Sequence, residues 1–201
     1  MKKILAVLAI ASALLLTGCS QTNEAATIGG FKISQTELQS SIDAVMAERS
    51  KVDSSQMQLE TGEELNRGQL RFKILMHTFD EIAKELKIEV TSSQVGAKKA
   101  SIIQSIGGEA ELPKNLVNAA IALQDFDTYV RAIVISDQIA EALAQSGVAE
   151  EEVSTKVGDL LNAKAKSLGV KINPRYGVWD NEIGDVVAAN VTGDAVKPSA
   201  K

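Results

Sequence analysis

Cys19 and His77 are the only thiol and the only imidazole in this chain of 201 residues, and their scarcity limits the chemistry open to it. A structural zinc takes four nitrogen or sulfur ligands, more than one cysteine and one histidine supply. Covalent catalysis needs a nucleophile beside a base, and no nucleophile motif accompanies His77. That histidine stands between Met76 and Thr78, one step off an apolar stripe, which is the place of a boundary imidazole, hydrogen-bonded or wet. The carboxylate groups Glu63-Glu64, Glu150-Glu151-Glu152 and Asp125/Asp127 sit at helix starts or on helix faces, where the helix dipole accounts for them. Gly29-Gly30 and Gly107-Gly108 lack the following lysine and hydroxyl residue of a phosphate cradle, so they read as turns. No catalytic residue, metal or cofactor is expected. The remaining set is Met46, Met57, Phe72, Met76 and Phe79, flexible thioethers and rings that adapt to varied apolar peptides. For any single one of them, filling the core is the favoured reading.

Cys19 has a sharper context. Met1-Lys2-Lys3 precedes an apolar run from Ile4 to Leu16, and Leu16-Thr17-Gly18-Cys19 closes it. A charged start, a short apolar core and small residues before the cut make a secretory signal; a spanning helix needs ~20 apolar residues. Leu-Thr-Gly-Cys resembles a bacterial lipobox, which implies cleavage after residue 18, a diacylglyceryl thioether on Cys19 and acylation of its freed amine. Two or more chains at ~0.8 kcal/mol per buried methylene hold stably, where one chain holds reversibly. The resulting reading is a signal over residues 1–18, a tether over 19–25, a domain over 26–187 and a disordered tail over 188–201. It places the protein outside the cytoplasm, with its lipid as the membrane contact.

Composition supports one helical domain. Of 21 basic and 26 acidic residues, losing Lys2 and Lys3 leaves 19 against 26, a net charge of about −7, which argues against nucleic acid as a partner. Aromatics are 3%, too few for a base-stacking or sugar platform. Ala26 to Ile33 reads as two short β-prone pieces around Gly29-Gly30. Ser34/Glu37, Thr61/Glu64 and Thr91/Gln94 have capping-box spacing and predict three helix starts. Behind Thr61, the residues Leu65, Phe72, Leu75, Met76, Phe79, Ile82, Ala83 and Leu86 line one helical face. Pro113 suits a short helix toward Ala120. Leu123 to Ala144 carries the run Ile133-Val134-Ile135, apolar on nearly every side, and predicts the central helix. Ala149 to Leu168 predicts the last one, Val170 to Ile172 a strand, and Tyr176 and Trp179 rings that cover a core edge.

Three stretches together, Ala26-Thr27-Ile28-Gly29-Gly30-Phe31-Lys32-Ile33-Ser34, Arg71-Phe72-Lys73-Ile74-Leu75 and Ala83-Lys84-Glu85-Leu86-Lys87-Ile88-Glu89-Val90-Thr91, resemble the N-terminal domain of SurA and PrsA-type foldases. Tyr129-Val130-Arg131 fits the same pattern. The resemblance implies a mainly α fold, a SurA N-terminal, trigger-factor-like helical peptide-binding domain with a small two- or three-stranded sheet. It implies extended or unfolded exported polypeptides as partners, met by Met46, Phe72, Met76, Phe79 and Tyr129. Between Ala144 and Ala149, where that family inserts a parvulin prolyl-isomerase domain, this chain has a short link, and His77 alone is not the usual histidine pair. Isomerase activity is therefore not carried over, and an adaptor serving one dedicated partner stays open beside the chaperone-like reading.

Overall fold

The structure, a computed structural model, describes residues 23–189; the signal, Cys19 and residues 190–201 of the tail lie outside the described residues. Within them the chain is mainly helical, with a small antiparallel sheet. Strand β1 (Glu24–Ile28) turns through Gly29 and Gly30, both at positive φ (57° and 84°), into β2 (Phe31–Ser34). Two left-handed residues in succession match the twist of a tight hairpin. β1 is the middle strand, with Ala26 opposite Ile33 on one side and Ile172 of β3 (Lys171–Ile172) on the other. The pairing of the 26–33 and 170–172 segments is thus as the alternation of apolar residues predicts. The strand begins earlier than expected, however. Glu24 and Ala25, assigned to the tether, belong to β1, and Ala25 is fully buried because the central strand must be covered on its inner face.

Helix α1 (Gln35–Arg49) starts in a complete capping box: the Glu37 amide donates to Ser34 Oγ (3.0 Å) and the Ser34 amide to Glu37 Oε2 (2.9 Å). Helix α3 (Ser92–Ser105) does the same with Thr91 and Gln94. Helix α2 (Gly62–Leu86) does not. Its Thr61 hydroxyl makes no capping bond, and Gly62 stands at φ 54°, so the chain enters the helix through a left-handed residue in a direction the simple motif does not foresee. A short turn and α4 (Leu112–Asn118), with Pro113 in its first turn, lead to α5 (Phe126–Gln145) and α6 (Glu150–Leu168). A second hairpin, β4 (Val178–Asp180) with β5 (Asp185–Val187), was not anticipated from the sequence; Trp179 pairs with Val186 in it. Tyr176 and Trp179 pack against the apolar cluster under the sheet, as expected of rings that cover a core edge.

The core divides into four clusters, and α2 contributes to all of them. Leu70 and Ile74 meet the sheet, Ile82 and Ala83 meet Ile135, Ile139 and Val157, Leu65 meets Val45 and Ala122, and Phe72 flanks the cluster around Phe126 and Val130. The central element is therefore α2, and α5, expected to be central, reaches two of the four clusters. A 25-residue helix, about 37 Å long, has length enough to touch every layer of a domain this size.

A polar strut crosses this core. Ser41 Oγ donates to Gln69 Oε1 (2.8 Å) and Gln69 Nε2 donates to the Ala120 carbonyl (2.7 Å), with Gln69 only 2% exposed. Ala120 itself is left-handed (φ 52°), a conformation costing roughly 1–2 kcal/mol for a residue with a Cβ. Gln69→Leu should lower the unfolding free energy in urea by about 1–3 kcal/mol, since the Ser41 hydroxyl and Ala120 carbonyl lose a partner in a dry interior. Ala120→Gly should raise it by about 1 kcal/mol.

Candidate functional site

Groove formation follows from which residues α5 and α6 present on either side of the link that joins them. The two helices are joined by a short link in which Gly147 takes φ 92°. Ala140 and Ala144, four apart on α5, and Val153 and Val157, four apart on α6, share faces at the period of a helix turn. Alanine side chains are too short to close the gap, so a cleft of about 630 Å³ opens between the helices, lined by these residues and Val148 together with Ser136, Ser154, Glu141 and Glu150; Val157 is buried beneath it, while Ala144, Ser154 and both glutamates are exposed. Val157 also belongs to the buried cluster of α2, α5 and α6, so the floor rests on packed core. The interior offers methyl groups and two hydroxyls, and the rim is acidic. Such a cleft can cover apolar side chains with little sequence preference.

A second cleft, about 560 Å³, lies between α3 and α5 and is lined by Val90, Val95, Gly96, Thr128 and charged residues. Lys99 Nζ meets Asp127 Oδ1 at 2.6 Å and Arg131 Nε meets Asp80 Oδ1 at 3.1 Å, so its charges are paired off within the fold. Among the described residues no histidine, cysteine and carboxylate group could hold a metal, and no helix is long and apolar enough to cross a membrane.

The residues expected from sequence to meet a peptide do not line one groove. Phe72 and Tyr129 come together, both packed against the cluster around Phe126 and Val130. Phe79 packs with Ile82 and Ile135 in another cluster. Met76 is half-buried on the same helix, and Met46 is 50% exposed on α1, with Arg49 Nη1 at 3.7 Å from its sulfur. Tertiary packing spends the rings of α2 on holding α3, α5 and α6. The groove residues Ala140, Ala144, Val148, Val153 and Val157 were missed because alanine and valine carry no chemical mark; the only available signal was the pairing of small residues near Gly147.

His77 is half-buried, and its ring stacks on Phe31 at the sheet hairpin, with centroids 4.3 Å apart and planes 14° from parallel. Burial pushes its pKa below the ordinary 6.5; Glu81 and Asp80 pull upward in part, and Lys84 pushes downward. No family model, no curated protein and no solved structure matches the chain.

The single histidine gives a pH test. With a folded pKa below 6.5, the native state takes up its proton less readily than the unfolded state, so the neutral ring's contribution is complete above that value and is lost as pH falls below it. The unfolding free energy should decline from pH 7.5 to 5.5 more steeply in the parent chain than in His77→Gln, measured by urea titration at each pH.

Proposed function

We propose that this chain is a membrane-anchored extracytoplasmic lipoprotein with a SurA N-terminal-like helical domain that holds unfolded or extended exported polypeptides. The observation that carries the reading is the open apolar cleft between α5 and α6. Its volume lies within the ~300–1,000 Å³ typical of binding clefts, and at ~3.3 Å per residue an extended chain would lay a few side chains along it. A floor of alanine and valine contributes hydrophobic contact without fixed donors or acceptors, which favours weak binding to many sequences over tight binding to one. The acidic rim of Glu141 and Glu150 favours segments whose apolar residues are flanked by Lys or Arg. The anchor is supported by Leu16-Thr17-Gly18-Cys19 and by the apolar run before it.

An adaptor for one dedicated partner is the second reading. It is favoured by the α3–α5 cleft, whose fixed ion pairs would suit a partner of defined shape and charge.

In an aggregation assay with several unrelated denatured clients, the protein should delay light scattering at a few-fold molar excess. Ala144→Glu, which places a charge on an already exposed groove position, should weaken that effect several-fold with an unchanged far-UV spectrum. No delay for any client would end the holding reading, and one tight partner without client protection would establish the adaptor. Cys19→Ser should abolish both fatty-acid labelling and recovery with membranes.

A further inference from the structure

We infer that the end of the molecule where β1 begins faces the phospholipid headgroups, and that the α5–α6 groove is held away from the bilayer. This rests on the proposed anchor at Cys19 and adds the orientation it imposes. The chain is pinned from Asn23 onward, because the Asn23 carbonyl accepts from the Gln35 amide at 2.8 Å. From Cys19 to Asn23 the backbone spans about 14 Å at most when fully extended. A lipid on Cys19 therefore keeps the Asn23 end within that reach of the membrane surface, whatever path the intervening residues take.

Several groups are tied to this end. Asn173 Nδ2 donates to the Glu24 carbonyl (3.0 Å), and Arg175 Nη1 donates to Gln35 Oε1 (3.0 Å). The Arg175 guanidinium stands 5.6 Å from the centre of the Tyr176 ring. Arg175 is exposed, and no carboxylate among the described residues forms an ion pair with it, so it can donate to a lipid phosphate; the adjacent tyrosine suits the polar–apolar boundary of a bilayer. Lys32, at the same end, is neutralised by Glu24. The face is therefore not a strongly basic patch, and it is the short leash that places it.

Helix α2 measures how far away the groove lies. Arg67, near its start, runs beside Gly177, at the end of the turn that carries Arg175 and Tyr176. Ile82, toward its other end, packs in the cluster that contains Val157 of the groove floor. The separation along the helix axis is about 22 Å at 1.5 Å per residue. In helix α6 the groove-lining residues lie in the first turns, and the last residue, Leu168, accepts from the Gly29 amide (2.9 Å) at the hairpin tip, the end of β1 opposite Glu24. A polypeptide in the groove would meet the protein on the side turned from the membrane.

The test uses the mature lipidated protein in phosphatidylcholine–phosphatidylglycerol vesicles bearing nickel-chelating headgroups. Nitroxide labels are placed at Thr36→Cys, in the exposed first turn of α1 beside Gln35, or at Glu151→Cys, in the first turn of α6. Thioether-linked Cys19 takes no label, which the parent chain verifies. Nickel should enhance relaxation several-fold more at position 36 than at 151. Inserting a Gly/Ser stretch of about 20 residues, with a mean span of about 25 Å, between Ser20 and Asn23 should bring the ratio toward one. Equal relaxation with the native leash, or a ratio that survives the insertion, overturns the orientation while leaving the anchor standing. Protein that fails to float with the vesicles and whose Cys19 takes up label overturns the anchor and the orientation with it.

Discussion

Everything in this fold leans on α2. Its apolar residues do not form the single stripe of a surface helix; they point into four separate clusters, under the sheet, against α1, against α3 and α5, and against α5 and α6. A helix covered on so many sides cannot be stable alone and stabilises each neighbour by the area it removes from water, at roughly 25 cal/mol per Å² of apolar surface. The buried Gln69, in the first half of that helix, adds a directional constraint: its amide ties α1 and the turn after α4 to α2. Burying it is tolerable because its oxygen and nitrogen both have partners.

The cost of organising the domain around one helix is that its aromatic and sulfur-containing residues are largely consumed in packing. Phe72 and Phe79 are wedges between helices, and their part in any peptide contact would require those helices to part. Free apolar surface arises instead at the far end of α5 and α6, where alanines leave the two helices incompletely packed. The groove is thus a consequence of small side chains beside a glycine-containing link. It is built on packed residues beneath and bounded by exposed ones above, an arrangement in which ligand contact need not disturb the core.

The opposite end is stiffened by other means. β1 is hydrogen-bonded on both edges, Asn173 closes the strand ends, and the second hairpin lays Trp179 and Val186 on the same cluster. Gly177 is required there, with φ 126° and the Val187 carbonyl occupying the space a Cβ would need. Sheet and second hairpin therefore form one block at one end of α2, and the cleft lies at the other.

Local rules were enough to read much of this from the chain. Ser34 and Thr91 announce their helices because a cap is a contact between residues three apart; Gly29-Gly30 announces a hairpin because few residues take positive φ twice in succession. The failures all concern contacts distant in sequence. Thr61 has the right spacing for a cap, but the conformation of Gly62 removes it. Glu24 and Ala25 look like linker until β2 and β3 are placed on either side. The centrality of α2 over α5, the division of Met46, Phe72, Met76, Phe79 and Tyr129 among different surroundings, and the opening between Ala144 and Val153 are decided by how six helices share a limited apolar area. Periodicity tells which face of a helix is apolar; which neighbour covers that face, and where cover runs out, is settled only when all the helices compete for it at once.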